Sequence, residues 1–145
     1  EVDELTGAVR VRRFVSATDG GRVLNPQGFE QQVAGALLQG MGWALFEDVT
    51  TRQGRILTPD LSTYLVPTAA DAPEVDCLAV QTEEHTGPFG MKGIGEVNLG
   101  AALPAIAAAV EDACGARLCA APLTPQKVLA ALRRTARKTA RRPAP

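Results

Sequence analysis

Four of the nine residues from Gly87 to Gly95 are glycine, in the run Gly87-Pro88-Phe89-Gly90-Met91-Lys92-Gly93-Ile94-Gly95-Glu96. Glycine tolerates positive φ and lets backbone approach a neighbour without a Cβ in the way, so this density predicts a tightly folded loop. The loop ends on a carboxylate, Glu96, just before a helix-like apolar segment. On chemistry alone Glu96 reads either as a general base with little side-chain cover or as an acid near a helix N-terminus. Lys92 reads either as a cation for an anionic ligand or as a solvated surface lysine. Nucleotide loops are excluded by spacing. There is no Gly-Lys-Ser/Thr, and Gly93-Ile94-Gly95-Glu96-Val97-Asn98 lacks the third glycine of a dinucleotide fingerprint.

The chain around this loop reads as mixed helix and strand. Val9, Val11, Phe14 and Val15, interleaved with arginines, predict a half-buried strand ending near Thr18 and running into the Asp19-Gly20-Gly21 turn. Asn25-Pro26 is a helix start, with Asn as cap and Pro where its missing N–H costs nothing. Phe29, Val33, Ala36, Leu37 and Met41 repeat at helical spacing to about Leu45, and the small residues Ala34, Gly35, Gly40 and Gly42 let a second backbone approach, so this helix is expected to be buried on most sides. Gln31, Gln32 and Gln39 then stand out, because an amide inside a packed element needs partners. Gln39 on composition alone is as readily a partner for neighbouring backbone as a ligand contact. Gln53-Gly54 between β-compatible runs marks a hairpin over Glu47 to Leu57, and Val75 to Thr82 is a further strand leading to the glycine loop. Tyr64, in the connection between them, reads as a partly buried structural residue. Ala101 to Ala113 predicts an alanine-rich helix with Pro104 in its first turn and Gly115 as left-handed cap. Thr124-Pro125 opens a last helix carrying Val128, Leu129 and Leu132.

A chain of 145 residues with 46% apolar content can bury one core. Its apolar stretches are interrupted before the ~20 residues of a membrane span, and the N-terminus resembles no signal peptide. Cys77, Cys114 and Cys119 lack the paired spacing of zinc or iron–sulfur sites, so they predict reduced, buried thiols with no protein-held metal, and hence a reducing, cytoplasmic setting. Residues 133 to 142 hold six of the fifteen Lys and Arg and no acid, which divides the net charge of −1 into a body of −7 and a tail of +6. The segment 133–145 is read as a solvated, disordered end rather than a nucleic-acid arm. His85, alone before the loop, reads as a surface histidine. Ser16 and Ser62 sit in no nucleophile elbow.

The glycine loop as a whole resembles the active-site loop of the molybdenum hydroxylases, the xanthine dehydrogenase and aldehyde oxidase family. Other segments agree in order: Asp19-Gly20-Gly21-Arg22-Val23-Leu24-Asn25-Pro26, Gln32-Val33-Ala34-Gly35, Gln39-Gly40-Met41-Gly42, Asp71-Ala72-Pro73 and Pro122-Leu123-Thr124-Pro125. The resemblance runs to Leu132. It implies an α+β fold, the C-terminal portion of a molybdopterin-binding domain over 1–132, with one long buried helix, antiparallel strands and two C-terminal helices. It implies hydroxylation of an aldehyde, purine or N-heterocycle with water as oxygen source and Glu96 as general base. Gln39 and the backbone of Lys92, Gly93, Ile94 and Gly95 are implied to contact the cofactor, expected as the cytosine dinucleotide form, whose own sulfurs hold the metal. Iron–sulfur clusters and FAD are implied on partner subunits or domains. Glu96-Val97-Asn98 departs from the prolines that commonly follow the family's glutamate. The absent initiator methionine and the family's longer subunits lead to the expectation of a fragment, and the alternative reading is a catalytically silent fragment or interaction module lacking the rest of the pocket.

Overall fold

The computed structural model describes residues 1–140, with side chains through Ala136. Strand β1 (Arg13–Asp19) leads to helix α1 (Pro26–Leu45), a small hairpin of β2 (Thr51–Arg52) and β3 (Arg55–Ile56), strand β4 (Glu74–Val80), helix α2 (Val97–Cys114) and helix α3 (Pro125–Ala140). The α+β class expected from the sequence is the class observed.

Helix α1 starts where its local chemistry dictates: the Asn25 side chain accepts a hydrogen bond from Gly28 N–H, and Pro26 occupies the first helical position. Phe29, Val33, Leu37, Met41 and Ala44 form its buried stripe, against Phe14 of β1 and Ala102, Ile106 and Val110 of α2. Its other face is open. Gln31, Gln32, Gln39 and Trp43 are exposed, so the expectation of a helix buried on most sides is corrected to a helix with one buried face. Among the small residues, Gly40 serves close approach: a Cβ there would stand 2.7 Å from the Leu99 carbonyl oxygen, so α1 and α2 pack backbone to backbone.

The expected antiparallel pairing holds for the hairpin, whose turn places Gln53 and Gly54 at φ 49° and 78°. It does not hold for the longer strands. β1 and β4 run parallel, with Phe14 opposite Val75, Ser16 opposite Cys77 and Thr18 opposite Ala79. The reason is α1, which carries the chain back along the sheet so that β4 enters in the direction of β1, the crossover that parallel strands require. Strand β1 also begins later than expected, at Arg13, because Val9 bridges to Val2 instead.

Helix α2 begins at Val97, before the Ala101 start expected, which puts Pro104 in its interior rather than its first turn. Pro104 deprives the Gly100 carbonyl of its donor, but Gly100 is exposed and water can serve that oxygen. Gly115, at φ 69°, caps the helix as expected. With 18 residues and mean hydropathy 1.3, α2 has the length and apolarity of a membrane span, yet its stripe of Ala102, Ile106 and Val110 packs on the core. Helix α3 buries Val128 and Ala131 and continues through Ala140, past the Leu132 end expected, since Ala, Arg and Lys are good helix formers. Of the basic end expected to be disordered, residues 141–145 lie outside the described residues.

Candidate functional site

Parallel pairing puts the carboxyl ends of β1 and β4 side by side, so the Asp19-Gly20-Gly21 turn and the chain leading to the glycine loop emerge at one edge. Gly20 N–H donates to the Val80 carbonyl at 3.2 Å. Arg22 N–H then donates to Gly90 O at 2.7 Å and Lys92 N–H to Gly20 O at 2.9 Å, while Gly21 and Met91 form an isolated bridge. Two motifs far apart in sequence are thereby zipped together. Glycine is required at the seam: Gly21 has φ 61°, and a Cβ on it would overlap the Gly90 carbonyl oxygen. Within the loop, Pro88–Gly90 forms a 3-10 turn in which Phe89 holds φ 55° with its ring 78% exposed.

The seam is locked by charge. Lys92 Nζ donates to Asp19 Oδ2 at 2.7 Å and to Thr82 Oγ1 at 2.9 Å. Asp19 also accepts from Gly21 N–H at 2.9 Å and from the Thr82 hydroxyl at 2.8 Å. The Lys92 hydrogen bond, then the Gly21 N–H and the Thr82 hydroxyl, hold the Asp19 carboxyl well below the usual carboxylate range. In this chain the Lys92 ammonium is paired with Asp19, and its side chain ties the loop down. The role of Asp19 was not legible because 73 residues separate it from Lys92, and Thr82 joins the pair through Asp19's position beside it. The one signal is that an acid leads directly into a double-glycine turn.

Beyond Lys92 the loop opens. Gly93 and Gly95 are exposed, and an ideal Cβ on either meets nothing within 4 Å. Ile94 is half-buried and packs against the core, holding the open stretch to the body of the chain. Glu96 follows, exposed, at the N-cap position of α2; its backbone carbonyl accepts from Leu99 N–H at 3.1 Å, but its carboxylate forms no capping hydrogen bond. Gln39 is exposed beside Gly40, at the crossing of α1 over the first turns of α2, and no hydrogen bond joins it to the loop among the described residues. The premise that Gln39 is an amide buried in this chain is thus corrected. The groove of about 440 Å3 between the N-terminal segment, β1 and α2 contains none of Gln39, Gly93, Gly95 or Glu96.

Behind Glu96 lies a polar cluster that sequence reasoning also missed. Asn98, only 5% exposed, accepts at Oδ1 from Ser16 Oγ at 2.6 Å and from Thr18 Oγ1 at 2.9 Å, while its Nδ2 is buried without a partner among the described residues. The signal available was one amide inside an apolar run.

The remaining residues weighed are structural or exposed. Tyr64 is half-buried and donates to Glu47, which raises its pKa. Cys77 and Cys114 are half-buried and Cys119 is exposed, all free, so the buried thiols expected are only partly covered. Burial pushes the Cys77 thiol up. His85 is exposed, 3.9 Å from Glu83.

Residues 1–73 match the family model of the molybdopterin cofactor-binding domain. The 6-hydroxypseudooxynicotine dehydrogenase complex subunit gamma of Paenarthrobacter nicotinovorans is 39% identical over 132 residues, covering 88% of this chain and 17% of that protein. The aldehyde oxidoreductase molybdenum-binding subunit of Escherichia coli (strain K12) is 40% identical over 131 residues, covering 88% of this chain and 18% of that subunit. In structure, quinoline 2-oxidoreductase from Pseudomonas putida 86 superposes with a TM-score of 0.85 at 31% identity, over 91% of this chain and 17% of that one. The chain spans less than a fifth of the length of these relatives. It belongs to the molybdopterin cofactor-binding domain family, and it matches one part of the molybdenum hydroxylase subunits to which it is similar.

Proposed function

We propose that this chain contributes the general base and one wall of the cofactor pocket to a cytoplasmic molybdenum hydroxylase that oxidises an aldehyde, purine or N-heterocycle with water as oxygen source. The observation that carries the reading is Glu96, an exposed carboxylate with no capping bond, placed directly after Gly93 and Gly95, whose faces are open. A carboxylate left free in this way can accept a proton. The backbone from Lys92 to Gly95 can approach a ligand as closely as two bare glycines permit.

A cofactor reached through backbone would find Gly93 and Gly95 exposed, with no Cβ to keep it off the chain. Gly93, Ile94 and Gly95 would line molybdopterin, in its cytosine dinucleotide form, from one side and Gln39 from another. When bound, that cofactor supplies the metal centre that takes up the two electrons of the oxidation. Glu96 takes the proton from the attacking oxygen and so strengthens the nucleophile, a role worth about 10²–10⁴ in rate. Iron–sulfur clusters and FAD on partner subunits or domains would accept the electrons.

The remainder of the subunit supplies the other walls. Val15, Leu78 and Val80 on the outer face of the β1–β4 pair are 62%, 56% and 44% exposed. A parallel sheet is stable with both faces covered, and here α1 covers only one. A small-molecule substrate would enter between this chain and that remainder.

The test is Glu96→Gln in the complete enzyme. Molybdenum content should stay at the wild-type level while turnover falls by at least about 100-fold. Near-normal turnover at full molybdenum content would remove Glu96 from the role and favour the alternative, a catalytically silent segment.

A further inference from the structure

We propose that Asn98 is a positioning residue for Glu96, acting through its buried hydrogen bonds to Ser16 and Thr18; this rests on the reading of Glu96 as the base. Among the described residues, no side-chain bond holds Glu96. What fixes it is the first turn of α2, and that turn is pinned by one polar anchor. Ser16 Oγ and Thr18 Oγ1, themselves 3.0 Å apart, both donate to Asn98 Oδ1, at 2.6 and 2.9 Å.

Helix geometry converts this anchor into an aim. Residues two apart on a helix point about 200° apart around the axis. Asn98 is buried onto β1, while Glu96, two residues earlier at the N-cap, is exposed, as are Gly93 and Gly95. A rotation of the first turn would break the Asn98 bonds before it redirected Glu96. The same strand ends in Asp19, which holds Lys92 at the loop's other end, so β1 registers both ends of the stretch from Lys92 to Glu96.

The orphaned Nδ2 argues that this amide is more than filler. An unpaired buried donor is a cost that an apolar residue of similar size would avoid. Its acceptor end is the part that explains its presence, since only that end joins the helix to the strand.

Asn98→Ala in the complete enzyme should lower kcat by about 10- to 100-fold, the range expected when a reacting group is displaced by around an ångström. KM should move by less than about threefold and molybdenum content should not change. In the cofactor-free protein, amide hydrogen exchange at residues 96–99 should accelerate. Ser16→Ala combined with Thr18→Val should reproduce these effects, and adding Asn98→Ala to that pair should bring no further loss, because all three substitutions break one linkage. If Asn98→Ala does not accumulate, Thr18→Val alone carries the test, with a smaller fall of the same kind. Unchanged kcat at full molybdenum content, or a fall that merely tracks molybdenum loss, would overturn the proposal. Retained turnover in Glu96→Gln would instead defeat the base reading, while the exchange rates would still report whether Asn98 holds the turn.

Discussion

The glycine loop has two halves that use the same residue type for opposite ends. From Gly87 to Lys92 the chain folds onto itself: a Cβ on Gly87 would overlap the Met91 carbonyl oxygen, Gly90 accepts from Arg22 N–H, and Lys92 is tied to Asp19. From Gly93 to Glu96 nothing among the described residues fills the space beside the glycines, and the Glu96 carboxylate makes no capping bond. Glycine in the first half is needed for the fold. In the second half it is not, and the room it leaves is available to a ligand. A run that looks uniform in sequence is thus an anchor followed by an open stretch, and the boundary falls at Lys92.

The comparison breaks first at the anchor. Gly21→Ala should destabilise the protein by about 2–5 kcal/mol, because alanine at positive φ is strained and its methyl meets the Gly90 carbonyl. Chemical denaturation of the complete subunit checks this, and a stability equal to wild type would mean that the seam is not part of the folded core.

A smaller effect separates the two roles available to Lys92. If it is an anchor, Asp19→Ala and Lys92→Ala should each loosen the loop, and the double variant should be no worse than either alone. If its charge served an anionic cofactor instead, Asp19→Ala would free it and leave cofactor content intact. The pair also carries a pH signature. Asp19 is held below its ordinary pKa, so its contribution to stability is fully present above about pH 4 and is lost as pH falls further toward the folded-state value. Denaturation midpoints of wild type and Asp19→Asn should therefore converge on acidification through that window, and a gap that persists there would contradict the pairing.

What could be read in the sequence was what is local. Asn25-Pro26 with the Phe29-Val33-Leu37-Met41 stripe specifies α1, Gln53-Gly54 specifies the hairpin, and Gly115 stops α2. Each is decided by residues within a few positions of one another. The parallel register of β1 on β4 and the Asp19–Lys92 lock depend on where α1 returns the chain, which no short window encodes. Pro104 misled because the rule that proline belongs in a first turn assumes a buried or needed carbonyl at the fourth residue before it, and here that carbonyl belongs to exposed Gly100. Glu96, Gly93 and Gly95 stand out by composition alone, whereas Asn98 becomes visible only once Ser16 and Thr18 are seen beneath it.

The most direct test of the division at Lys92 is molybdenum content measured against stability for Gly93→Ala and Gly95→Ala in the complete subunit. Neither glycine has a neighbour within reach of an added methyl, so both variants should keep wild-type stability to within about 0.5 kcal/mol. Bound molybdenum cofactor, and turnover with it, should nevertheless fall clearly below wild type, because the methyl would stand where the cofactor is proposed to approach the backbone. Full cofactor content and normal turnover in both variants would contradict the account, since the open half of the loop would then face only solvent.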